Sequence, residues 1–288
     1  MKKLHIIAGV ATVVILIAVT VVIWLTLFST SPVVVPSCTQ PKLVIDHDGG
    51  ADDALAITLA LLYEAYFDGP EVVALTTSHG NVNQSQAVIN SYRILDLVNR
   101  TDVPIYAGAK DPLIKGIVSD YYFGYDGLGD TGYVLDKPFK VESLPAAVGL
   151  VELAKKYEGQ LTVIAIGPLS NIALAIKLDP DFIDRIAHLY VGAGDIYDET
   201  NPNPEFNADM DPEAYYIVAK ASKLGKVTFV PFWKIQSSLN ITKEWRANVL
   251  GSINTQTIQT LNSWERLSFA ASTAWTLLDP AVAAIVLD

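Results

Sequence analysis

The sequence predicts an α/β fold, with a mostly parallel central sheet flanked by helices and preceded by an N-terminal hydrophobic helix. Three observations carry this expectation. Short apolar runs alternate with helix-length amphipathic stretches from residue 42 onward, which is the pattern of strands joined by crossover helices. The chemically distinctive residues repeatedly follow the apolar runs, where open α/β sheets hold their sites. The first 28 residues stand apart, because the 23 from Ile6 to Phe28 carry no charge.

Taken in order, the chain divides into a signal-anchor or signal peptide (1–28), a linker (29–41) and an α/β domain (42–288). About 20 apolar residues span a bilayer, whereas the apolar region of a cleaved signal runs to about 7–15. The length therefore favours an anchor. Lys2 and Lys3 before it place the N-terminus in the cytoplasm. The expectation is a membrane-anchored protein with its domain extracellular or lumenal, or a secreted one if the segment is cleaved. The linker is rich in proline and serine and holds Cys38, the one cysteine, so the domain has no internal disulfide. Asn83-Gln84-Ser85, Asn99-Arg100-Thr101 and Asn240-Ile241-Thr242 have the form of glycosylation acceptors, which matters on that export route.

Within the domain, Leu43–Ile45 reads as a strand, followed by a helix from Ala51. Val72–Thr77 is a strand, Gln84–Val98 a helix and Val103–Tyr106 a short strand. Residues 108–140, rich in Gly, Asp and Tyr, form a long loop region. A helix over Leu144–Tyr157 leads to a buried strand, Leu161–Ile166, and a helix, Leu169–Leu178. His188–Gly192 is a strand, Asp211–Ala221 a helix, Val227–Val230 a strand, and helices finish the chain.

The densest chemistry lies at the first strand end. Asp46, Asp48, Asp52 and Asp53 place four carboxylates within eight positions around Gly49-Gly50. Such a cluster repels itself unless a cation or protons neutralise it, and oxygen-only ligands suit Ca²⁺ or Mg²⁺ better than zinc. An acidic helix N-terminus accounts for Asp52 and Asp53 alone. Other strand ends carry Asn81, Gly167-Pro168-Leu169-Ser170-Asn171, Glu205-Phe206-Asn207 and Asp211-Pro212-Glu213-Ala214. A net charge of −11 and a pI near 4.7 argue against a nucleic-acid partner and fit a cation site with a small-molecule substrate.

Asp46-His47-Asp48-Gly49-Gly50-Ala51-Asp52-Asp53 resembles the opening motif of the nucleoside hydrolase family, the inosine–uridine-preferring and purine-specific nucleoside N-ribohydrolases. Four further motifs follow in family order: Thr76-Thr77-Ser78-His79-Gly80-Asn81, Gly167–Asn171, Glu205–Ala214 and Asp279-Pro280-Ala281-Val282-Ala283. The resemblance implies a nucleoside hydrolase-like fold and Ca²⁺-dependent cleavage of ribonucleosides to free base and ribose. It implies Asp48, Asp53, Asp279 and the Ile166 carbonyl as metal ligands, with Asp48 also the general base. Asp52, Asn81, Glu205, Asn207 and Asp279 would bind the ribose. Asp46 would support the cluster from behind, and Asn201 or Asn203 reaching the sugar stays open, as does a homo-oligomer.

Some relatives carry a histidine just before the final aspartate, where this chain has Leu278; others carry one in the long loop, where it reads Tyr121-Tyr122-Phe123-Gly124. Without an imidazole to protonate the leaving base, the resemblance implies purine preference. His47 and His79, beside the site motifs, read as packing or supporting residues rather than catalysts, and Trp275, one helical turn before Asp279, as core or pocket lining, with base stacking left open. Relatives run on past the final motif, whereas this chain stops nine residues after Asp279, so a C-terminally truncated domain is expected. Two alternatives remain: a membrane-tethered nucleoside- or ribose-binding protein that lost turnover, and a haloacid dehalogenase-type phosphatase reading of Asp46-x-Asp48.

Overall fold

Residues 40–135, 137–196, 203–239 and 241–288 are described by a computed structural model. Strand β1 (Lys42–His47) lies at the centre of a six-stranded, wholly parallel sheet. Its neighbours are β2 (Glu71–Thr77) on one side and β4 (Leu161–Ala165) on the other. β3 (Ile105–Ala107) borders β2, while β5 (His188–Val191) and β6 (Val227–Phe229) continue beyond β4. The order β3-β2-β1-β4-β5-β6 reverses between β1 and β4. The crevice beyond the carboxyl ends of those two strands is where such sheets open a binding site.

Both faces of the sheet are covered, as an all-parallel sheet requires. Along β1, Leu43 and Ile45 belong to one apolar core and Val44 to the other. On β4, Ile164 joins the first, and Val163 and Ala165 the second, so successive side chains point to opposite faces. The first core takes helix α1 (Ala51–Phe67), α2 (Gln84–Leu97) and the last helix, α12 (Leu278–Leu287). The second takes α3 (Ala146–Lys156), α4 (Ser170–Leu178) and α7 (Pro212–Ala221).

The remaining helices are short. They are α5 (Phe182–Arg185), α6 (Phe206–Met210), α8 (Phe232–Leu239), α9 (Lys243–Trp245), α10 (Gln256–Trp264) and α11 (Arg266–Ala271), with a π-turn at Arg246–Leu250. Every strand expected from the sequence is present. The short helices α5 and α6 were not expected, because four or five residues are too few to show a helical period.

Among the described residues no helix is long and apolar enough to cross a membrane. The Ile6–Phe28 stretch expected as an anchor, Cys38 and Asn240 lie outside those residues, whereas Asn83 and Asn99 are exposed.

Candidate functional site

The acidic turn is held open by backbone that only glycine permits. Gly49 has φ +85°, and a Cβ there would stand 2.9 Å from the Ala87 Cα. Gly80 is tighter still, since its Cβ would meet Asp48 Oδ2 at 1.9 Å. That close approach lets Asn81 donate from its main-chain N to Asp48 Oδ2 at 2.7 Å and from Nδ2 to Oδ1 at 2.9 Å. Behind it, Asp46 accepts from Thr76 Oγ1 and from Asn171 Nδ2 (2.8 Å). Asp53 reaches back over the first turn of α1 to accept from the Gly50 N–H at 2.7 Å, which satisfies one of the helix's open donors.

From the far end of the chain, α12 delivers Asp279 onto this turn. Carboxylate oxygens of Asp52, Asp53 and Asp279 lie within 4.8 Å of one another. Asp48 stands beside this trio, turned onto Asn81. Its charge is nonetheless felt by Asp52, Asp53, Asp279 and Glu205 alike. Glu205 caps α6, accepting from the N–H groups of Gly194 (2.7 Å), Asn207 (2.9 Å) and Ala208 (3.0 Å). Asn207 donates to the Ile166 carbonyl at 3.1 Å and the Gly192 carbonyl at 3.0 Å, while its buried Oδ1 has no partner among the described residues. All eight residues expected as site residues thus gather at the crevice between β1 and β4.

Burial dominates the electrostatics. Asp48 and Asp53 are 0 % exposed and Asp279 2 %. Burial first, then mutual repulsion, pushes Asp53 and Asp279 well above the carboxylate range. Burial and the nearby Asp48 raise Asp52 to about 8, and burial raises Asp46 and Glu205 to about 7. Among the described residues no Lys or Arg pairs with any of these acids. His47 Nδ1 stands 4.0 Å from Asp53 Oδ1, but burial pushes the imidazole down to about 3, toward its neutral form, and its Nε2 bonds Ser91 Oγ at 2.8 Å. A buried, oxygen-only acid cluster without a basic partner fits a hard divalent cation. The Ile166 carbonyl keeps a second lone pair for such an ion beside its bond from Asn207.

Above the acids opens a cavity of about 300 Å³, the lower end of the range for small-molecule sites. Asp52, Asn81, Glu205, Asn207 and Asp279 form its polar floor, and Tyr122, Phe123, Phe232, Trp233 and Leu278 its apolar wall. Sequence reasoning missed Phe232, Trp233 and Thr276 as lining residues; no spacing in the C-terminal third marks them. Asn203 also lines the cavity, and Asn201 lies outside the described residues.

His79 bonds Ser170 Oγ at 3.0 Å, and Ser170 in turn donates to Asp211 Oδ2; this clamps strand-end turns together. Trp275 packs away from the cavity and donates to Glu265 Oε1 at 2.7 Å. Both histidines thus support neighbouring elements through hydrogen bonds, Trp275 belongs to the core, and none of the three lines the cavity.

The sequence profile of inosine-uridine preferring nucleoside hydrolases matches residues 43–288. The chain belongs to that family. It is 38 % identical over 186 residues to a probable uridine nucleosidase 2 of Arabidopsis thaliana, covering 62 % of this chain and 56 % of that one. It is 32 % identical to the inosine-uridine preferring nucleoside hydrolase of Leishmania major, covering 63 % and 57 %. The matches thus span just over half the length of these relatives. Among solved structures, the purine-preferring ribonucleoside hydrolase from Gardnerella vaginalis superposes with a TM-score of 0.74 at 28 % identity, covering 86 % of this chain and 80 % of that one. Membership removes the phosphatase alternative, in which the tandem Asp52-Asp53 and Asp279 had no role.

Proposed function

We propose that this protein hydrolyses the N-glycosidic bond of ribonucleosides to free base and ribose, dependent on Ca²⁺ and preferring purines. One observation carries the reading: buried acids converge, without a basic partner, beneath a nucleoside-sized cavity with an aromatic wall.

Held by Asp48, Asp53, Asp279 and the Ile166 carbonyl, a Ca²⁺ ion would fix a water and lower its pKa. Asp48, aimed by its two hydrogen bonds from Asn81, is the residue placed to accept a proton from an attacking water as general base. The ribose hydroxyls donate to Asp52, Glu205, Asp279 and the open Oδ1 of Asn207. Glu205 is fixed for this by three main-chain donors. As the glycosidic bond breaks, positive charge develops on the sugar, and the acidic floor stabilises it.

No imidazole lines the cavity among the described residues. Tyr122, Phe123, Phe232 and Trp233 instead offer rings to stack a departing base, and a purine presents more area than a pyrimidine. The relatives' names divide on this point, since some are uridine nucleosidases or pyrimidine-specific hydrolases and a structural neighbour is purine-preferring. The Ile6–Phe28 sequence supports a membrane anchor with the domain extracellular or lumenal.

The test is base release from inosine, adenosine, guanosine and uridine by the full chain, with and without a Ca²⁺ chelator. Chelator-sensitive release that is faster with purines supports the proposal. A folded protein that binds Ca²⁺ and nucleosides but releases no base would instead support the tethered binding protein.

A further inference from the structure

We propose that Asn90 is a positioning residue that welds the acidic turn to the aromatic wall, so that ligands spanning both depend on it and ligands touching one do not. The inference rests on the hydrolase reading and adds a determinant outside its cavity.

Asn90 lies on α2 and is 0 % exposed. Its Nδ2 donates to the Gly49 carbonyl of the acidic turn at 2.7 Å and to the Asp126 carbonyl of the long loop, also at 2.7 Å. Its Oδ1 accepts from Gln86 Nε2 at 3.0 Å and Arg93 Nη1 at 3.3 Å. The amide's two donors and two acceptor sites are all used. The loop passes so close that a Cβ on Gly127, at φ +74°, would stand 2.7 Å from the Gly49 carbonyl and 3.1 Å from Asn90 Nδ2.

Each side of the weld has its own support. Asp126 accepts from Arg93 Nη1 at 3.0 Å and from the Leu128 and Asp130 N–H groups, and Gly129 N donates to the Phe123 carbonyl at 2.9 Å. The acidic side is fixed by Asp46 with Asn171 and by Asp48 with Asn81. A lighter tie runs from Ser119 Oγ to the Asn81 carbonyl at 2.7 Å. Cutting the Asn90 bonds therefore leaves floor and wall intact but loosens their spacing. A nucleoside sets its sugar on the floor and its base on Tyr122 and Phe123, and an error of about 1 Å in such spacing costs up to ~100-fold. Ribose alone meets only the floor.

The experiment compares full-length wild type with Asn90→Asp, which keeps the shape but loses both donors, and with Asn90→Ala. The KM and kcat for a purine nucleoside are read beside the inhibition constant of free ribose, with thermal melts for folded fraction. The expected result is a KM raised about tenfold or more with ribose inhibition unchanged within about twofold. An unchanged KM with kcat falling in step with folded fraction would show a merely structural amide and overturn the proposal. Equal weakening of ribose and nucleoside would overturn it too. If wild type releases no base, the hydrolase reading fails by itself. Equilibrium binding of nucleoside against ribose then decides the weld by the same split, and binding of neither overturns both.

Discussion

The floor and the wall of the cavity are built by opposite means. The floor is a set of carboxylates at strand ends and helix starts, fixed by main-chain donors and almost wholly buried. The rings of the wall come from a long loop and a short helix, and one of them, Trp233, is 51 % exposed. On the proposed function, chemistry that needs fixed distances would sit where the backbone is rigid, and recognition of the variable base on connections that can vary. The difference makes separate demands on each half, and each can be broken alone.

The largest effect is expected on the floor. Asp48→Ala should lower kcat for every nucleoside by ~10³-fold or more, within the range for losing a general base. In the metal-free protein its melting temperature should hold or rise, because one of several mutually repelling buried charges is gone. Parallel assays of base release and thermal unfolding check this, and a loss of only a few-fold would remove Asp48 from the mechanism.

Next comes the pH dependence of the metal-free protein. Asp52 at about 8 and Asp46 and Glu205 at about 7 all lie above their unfolded values. The folded state therefore binds more protons between about pH 4 and those values. Stability is full below that window and is lost as pH rises through it. Melting temperature without metal should fall from pH 5 to pH 8, and saturating Ca²⁺ should flatten the decline. A metal-free protein that grows more stable over that range would contradict the electrostatics.

On the wall, Trp233→Ala should raise the KM for purine nucleosides about tenfold, matching the ~1–3 kcal/mol of a base–aromatic stack, with no change in melting temperature. An equal effect on ribose inhibition would place Trp233 with the floor instead. The smallest effect belongs to Trp275→Phe, which removes the indole donor to Glu265. It should cost about 1 kcal/mol of stability and leave kinetic constants unchanged, as denaturant unfolding beside steady-state assays would show.

The same division decided what was legible in the sequence. Part of the floor could be read because it is local: Asp46 to Asp53 span one strand end and the helix start after it, whereas Asp279, from the far end of the chain, was reached only through the family resemblance. Each strand was readable from its apolar run. What escaped was made by tertiary contact. Phe232, Trp233 and Thr276 reach the cavity from helices and turns whose pattern says nothing about direction. Asn90 looks like any polar residue in an amphipathic helix until the loop carrying Asp126 is seen to close over it. That Asp48 turns onto Asn81, leaving Asp52, Asp53 and Asp279 as the tightest trio, is a matter of side-chain rotation that spacing does not encode.

Whether the floor is a cation cage is tested by calorimetric titration of metal-stripped protein with Ca²⁺ at pH 7, in buffers of different ionisation enthalpy. One ion should bind per chain, with proton release on binding because the acids are held partly protonated without the ion, and binding should be lost in Asp53→Asn. Absence of Ca²⁺ binding by the folded wild type, or binding undiminished in Asp53→Asn, would contradict it.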